Sequence, residues 1–337
     1  MKWFIAFAII ASCLALSLAA VWTTGINRGP RTPVEIDHLS QAMQAHKEEA
    51  TQFPPCLADT DPRQRKERFM QHIQANWINA EEYKPTVAAY DETNRKVRHV
   101  WKHHFVKPDG SVDLLNLDNL DPAEALVFWL GGFPTPVDPA TKKPIATRKL
   151  FGFHRDSDDP FKRDTSHVEE LEPFRHRTEP RFQFDPGRLV DNDGDGWLEY
   201  HPYPVGEPNR NAPYVYFDAA SYTASTLNRK TTGSVYYPHD AKLAREWGVT
   251  VPMPLYFDAT GSNPTRWAND RSFQILCAGL DGKYGPPTPR LVVFPSLDTF
   301  DAADNYQKPH AVDDTELDNL TNLSRSALEQ ARNESEQ

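Results

Sequence analysis

From Trp3 to Asn27 the chain carries no charged side chain, and only Lys2 stands before that run. An apolar stretch of roughly 20 residues is long enough to cross a bilayer as a helix. Trp3 and Trp22 bracket it as interfacial anchors would. A cleaved signal peptide is the rival reading, since Ser17-Leu18-Ala19 offers a small-x-small cleavage site, but the run exceeds the ordinary apolar core of about 7–15 residues. Cys13 follows Ile10-Ala11-Ser12, which resembles a lipobox, yet apolar residues continue past it. Segment 1–29 therefore reads as an uncleaved signal-anchor. Lys2 places the short N-terminus in the cytoplasm and the main domain in the periplasm or outside, as a single-pass protein of the inner membrane. Both readings export the domain.

The 29 prolines among 337 residues break helices and fill loops, so short elements joined by long irregular segments are expected. A formal net charge of -10 excludes nucleic acid as a partner and argues against docking by charge on an anionic bilayer. The same acidity suits a divalent cation. Cys56 and Cys277 are the only thiols beyond the apolar run. They form either one long-range disulfide or two free thiols, and no CxxC points to zinc.

Thr32-Pro33-Val34-Glu35 carries a helix start: a hydroxyl cap, a proline at the first helical position and a glutamate three residues after the cap. Behind it Ile36, Leu39, Met43, His46, Ala50 and Phe53 make one stripe, which Pro54-Pro55 ends. His46 on that stripe reads as a core or boundary histidine. A second, more charged helical pattern over 62–84 carries Phe69, Ile73 and Trp77. Asp121-Pro122-Ala123-Glu124 repeats the capping logic before an apolar run into Gly131-Gly132, a short buried helix with a glycine stop. The polar stretches HRDSDD and FRHRTEP and the pair His103-His104 read as solvated surface. Strands are expected at 214–217, 273–276 and 290–294, which are rich in β-branched and aromatic residues. The fold class is α+β: a membrane-spanning helix, then a long amphipathic helix packed on a small antiparallel sheet with long loop insertions. The exported domain covers 30–323, with insertions around 57–120 and 135–180, and 324–337 is a polar tail.

In DNDGDGWLE, Asp191, Asp193 and Asp195 alternate before Gly196. Calcium takes six to eight oxygens, and a D-x-D-x-D-G run lets alternate side chains converge on one ion. The carbonyl of Trp197 and the side chain of Glu199 continue the series. The place of the bidentate glutamate of an EF-hand falls on Pro202, and Pro186-Gly187 precede the loop where a helix would enter, so an EF-hand is disfavoured. The competing reading is a metal-free turn rich in Asp and Asn.

The ordered pieces IDHLSQAM, TQFPP, LDPAEALVFWLGGFP, FDPGRLVDNDGDGWLEY, PYVYFD, FQILCAGLDGKYG and DDTELDNLTNL resemble pilin-like proteins of planctomycete type, relatives of the major pseudopilin of type II secretion. The likeness runs from about Thr32 to Leu323. It implies a membrane-anchored structural subunit of a type II secretion or type IV pilus-like system, which assembles with like subunits or other pseudopilins. It also implies a calcium-organised loop after the turn Gly279-Leu280-Asp281-Gly282, with Asp281 as a ligand and Asp298, Asp301 and Asp304 as looser candidates. The GFTLxE prepilin signature is absent, which makes the chain a divergent member.

Two other classes compete. One is an exported, calcium-stabilised binding domain for a polysaccharide or protein, with Trp197, Tyr200, Tyr203, Tyr214 and Tyr216 as an aromatic platform. The other is a hydrolase using paired carboxylates such as Asp193 and Glu199. No GxSxG, HExxH or phosphate-cradling loop supports an enzyme, and a non-catalytic role is expected.

Overall fold

The computed structural model describes residues 31–57, 62–76, 103–144, 149–153, 155, 177–203, 212–220, 256–257, 266–269, 271–279, 282, 284, 290–294, 299–301, 309–310 and 320–322. Helix α1 (Arg31–Ala50) presents the expected stripe, with Ile36, Leu39, Met43, His46 and Ala50 all buried. It ends at Ala50, short of Pro54, where Thr51 turns into the left-handed region at φ 61°. Helix α2 (Pro62–Asn76) follows and buries Phe69, His72 and Ile73.

Strands β1 (His104–Val106) and β2 (Val112–Leu114) form a hairpin. Helix α3 (Pro122–Gly131) comes next, and all ten of its residues are buried. That burial follows from its position between two apolar clusters. Ala123, Leu126, Val127 and Leu130 join Ile36, Leu39 and Met43 of α1 and the strands β7 (Val215–Asp218) and β10 (Phe273–Cys277). Ala125, Phe128 and Trp129 join Phe69, Ile73, Phe105, Phe133, Phe151 and Trp197 on the other side. A helix apolar all round is stable only when it is enclosed in this way.

Around α3 the strands make several small sheets. β3 (Phe133–Pro134) pairs with β4 (Leu150–Phe151), and β5 (Leu189–Val190) with β6 (Glu199–Tyr200). A three-stranded antiparallel sheet has β10 at its centre, flanked by β7 and β14 (Leu320–Thr321). A five-stranded sheet runs in the order β13 (Pro309–His310), β12 (Thr299–Asp301), β11 (Arg290–Phe294), β8 (Tyr256–Phe257), β9 (Arg266–Trp267), with β8 and β11 parallel.

This architecture corrects the expected pilin-like fold. There the amphipathic helix α1 was to carry one small antiparallel sheet. Here the central helix is the short α3, and the strands are divided among several small sheets of two to five strands. The inner-membrane placement is also corrected, because among the described residues no helix is long and apolar enough to cross a membrane. The apolar segment 1–29, the residues after Asn76 in the second helical pattern and the tail 324–337 lie outside the described residues.

Several surface assignments are overturned as well. His103 is buried and stacks on Phe151 at 5.7 Å between ring centres. Arg177, inside FRHRTEP, is buried with its guanidinium 4.5 Å from the centre of the Phe151 ring and donates to the carbonyl of Gly152. Trp197, Tyr200, Tyr203 and Tyr214 are buried core residues, and Tyr216 is too, so they form no exposed platform. Cys56 and Cys277 are buried and are not joined in a disulfide, against the first of the two alternatives.

Candidate metal centre

The acidic loop is the connection of a two-stranded hairpin. Leu189 pairs with Tyr200 and Val190 with Glu199, so residues 191–198 must turn within a short span. Asp191 holds that turn: its carboxylate accepts the amides of Gly194 and Gly196, at 2.8 and 3.1 Å. Asp193 accepts from the amide of Asp195, and Asp195 from that of Trp197 at 2.9 Å. Each aspartate thereby fixes the backbone two to five residues ahead, the local bonding that Asp favours in turns. Gly196 sits at φ 98°, where a Cβ would lie 2.5 Å from Cγ of Phe105. The loop is thus pressed against β1. Trp197 anchors its far end, 1% exposed, with Nε1 donating to the carbonyl of Asn116 at 2.7 Å.

Opposite the loop stands the N-terminus of α3. Asp121 caps it, accepting from the amides of Ala123 and Glu124 at 2.7 and 3.0 Å, and Glu124 reaches back to the amide of Asp121 at 2.9 Å. This reciprocal box satisfies the orphan amides of the helix start. It also fixes the Glu124 carboxylate where the loop passes.

Oxygens of Glu124, Asp193 and Asp195 lie within 4.8 Å of one another, and this trio could hold a metal ion. Glu124 is buried, and Asp193 and Asp195 are half-buried. Oδ2 of Asp195 is buried with no hydrogen-bond partner. Among the described residues, no lysine or arginine pairs with any of the three. Desolvation, then the charge of Asp195, pushes the Glu124 carboxyl well above the ordinary range. Burial, then Asp193, raises Asp195 to about 9. These are carboxylates gathered without a counter-charge, the condition a bound cation relieves.

Two expected ligands stand beside the trio. Asp191, raised by burial and Asp193 to about 6, spends its oxygens on loop amides. Glu199 is fully buried and accepts from the side-chain amide of Asn192, with His201 Nε2 at 3.3 Å. Burial lowers His201 to about 4 and raises Glu199 well above its ordinary value, and both shifts weaken that contact as an ion pair. Asp281, Asp298 and Asp304 lie outside the described residues, and Asp301 belongs to β12. Sequence reasoning missed Glu124 as a donor. Its capping-box spacing was visible, but nothing local tied it to a loop nearly seventy residues onward.

The chain matches no known family model, no characterised protein and no solved structure. Its functional reading therefore rests on the site itself.

Proposed function

We propose that the chain is a calcium-fastened binding domain that works by contact with another macromolecule rather than by catalysis. The observation that carries this reading is the convergence of Glu124 with Asp193 and Asp195. All three donors are hard oxygens, which suit calcium or magnesium and not zinc or copper. Oxygens within 4.8 Å of one another can share one ion, and calcium holds its oxygens at about 2.3–2.6 Å. The flexible coordination number of calcium also tolerates a partial set of side chains completed by backbone carbonyls and water.

Glu124 supplies from a distant helix the carboxylate that Pro202 cannot supply from the loop. A cation there ties the 191–198 turn to α3, and through Trp197 to the second core. That is a fastening role. The open groove of about 780 Å³ along α1, lined by Val34, Glu35, His38, Arg181 and Phe182 among others, includes none of the loop carboxylates. With the aromatic residues buried, a protein partner fits better than a polysaccharide stacked on that face.

Calorimetric titration of the EDTA-stripped full chain tests the calcium reading, with thermal melting in parallel. Calcium is expected to give a saturable isotherm and a raised melting temperature, with magnesium much weaker and Glu124→Gln abolishing both. No heat and no thermal shift from calcium would overturn the reading.

A further inference from the structure

A second cluster of titratable groups lies away from the acidic loop, where α1, α2 and α3 meet. His46 of α1 and His72 of α2 are 2% and 1% exposed, and their Nε2 atoms approach to 3.2 Å. The rings stack with centres 5.4 Å apart, and both stand edge-on to Trp129 of α3, at 5.9 and 4.8 Å. An Nε2 to Nε2 hydrogen bond needs one ring to donate and the other to accept, so at least one imidazole of the pair is neutral.

We propose that His46 and His72 form an acid-sensitive latch, which holds α2 against α1 and α3 while both rings are neutral and releases it when they take up protons.

The surroundings leave a second charge without a home. On α1, Glu49 pairs with Arg181 at 2.7 Å. Arg181 itself acts on His46 as a like charge. The end of α1 contributes Gln52, a neutral amide 3.5 Å from His72 Nδ1. α3 offers Trp129, whose ring carries no charge and whose backbone favours charged His46 less than burial opposes it. α2 brings Arg65 and Arg68 on turns preceding His72. Among the described residues, no carboxylate acts on either ring. Burial accordingly holds both imidazoles down to about 3.

The sign follows directly. In the released state both rings regain an ordinary pKa near 6.5 and bind protons that the closed pair refuses, so closure weakens as pH falls below that value. α2 is attached through Phe69, Ile73 and His72, and it carries four basic residues against one glutamate. Release therefore presents an apolar face flanked by positive charge.

Native-state hydrogen exchange on the full chain tests the latch, corrected for intrinsic exchange, with the α3 amides as internal reference. Between pH 7.5 and 5 the opening constant of α2 is expected to rise about a thousandfold, roughly thirtyfold for each histidine, while α3 stays protected. His72→Phe, which keeps a ring against Trp129, is expected to retain only the single-histidine factor, and His46→Leu with His72→Phe to open equally at both pH values. An equal opening of α2 at both pH values in the wild type overturns the latch. So does pH dependence that survives in the double variant, or α2 and α3 opening together. Ring nitrogen chemical shifts of the wild type give a readout that needs no variant. Neutral His46 and His72 at pH 6 support the latch, and charged imidazoles with α2 still protected overturn it.

Discussion

Glu124 and Asp195 bring carboxylate oxygens within 4.8 Å of each other, although one begins a buried helix and the other lies in a hairpin turn far along the chain. Glu124→Gln preserves the capping box, because a glutamine side-chain oxygen still accepts the Asp121 amide. The variant is therefore expected to keep the fold while losing most of the calcium-induced rise in melting temperature. Asp195→Asn is expected to do the same. At calcium one hundred times its Kd, the wild type gains about 2.7 kcal/mol. Thermal melts with and without calcium check this: equal shifts in wild type and both variants would remove the trio as the site.

Gly196 and Phe105 fix how closely the loop lies on β1. A Cβ at Gly196 would meet the Phe105 ring at 2.5 Å and force a residue with a side chain to φ 98°. Gly196→Ala is expected to destabilise the fold by about 2–4 kcal/mol, from strain and displaced packing together. Urea unfolding in excess calcium measures the loss. A change under about 0.5 kcal/mol would mean that the turn relaxes freely and the pressed contact is unimportant.

Much of the local structure was legible. Asp121-Pro122-Ala123-Glu124 with Gly131-Gly132 marked α3 almost to the residue, because capping and glycine stops act through near neighbours. Strands β7, β10 and β11 were visible from their β-branched and aromatic content. The two-residue strands were not, since alternation needs more residues than they have. His103 and Arg177 looked solvated because their neighbours in sequence are polar. The aromatic rings that cover them, Phe133 and Phe151, belong to β3 and β4. Half the candidate metal centre could be read for the same reason. The aspartates share one loop, whereas their glutamate partner reaches them only through the packing of α3.

Cys56 and Cys277 are buried thiols with no bond between them. Reductant is therefore expected to leave the melting temperature of the full chain within a degree of its value under air. A drop of several degrees on adding dithiothreitol would show a disulfide that contributes to stability, since closing so long a loop is worth roughly 4 kcal/mol or more.

Glu35 gathers the polar groups beneath α1. Its carboxylate accepts a bidentate pair from Arg188, at 2.8 and 2.5 Å, and the hydroxyls of Tyr200 and Tyr214 at 2.8 and 2.7 Å. The Arg188 guanidinium also lies 4.3 Å from the centre of the Tyr200 ring. Both charged side chains are mostly buried, at 14% and 18% exposure, so the pair cannot be discounted as a surface bridge. Glu35→Ala strands the arginine and two tyrosine hydroxyls, and is expected to cost about 3–5 kcal/mol. Adding Arg188→Met removes the stranded charge, and the double variant is expected to recover at least about 1 kcal/mol of that loss. Denaturant unfolding of the two single variants and the double variant completes the cycle. If the double variant were less stable than Glu35→Ala by the full cost of Arg188→Met, the two residues would be acting independently, and the network would hold the first turns of α1 by packing alone.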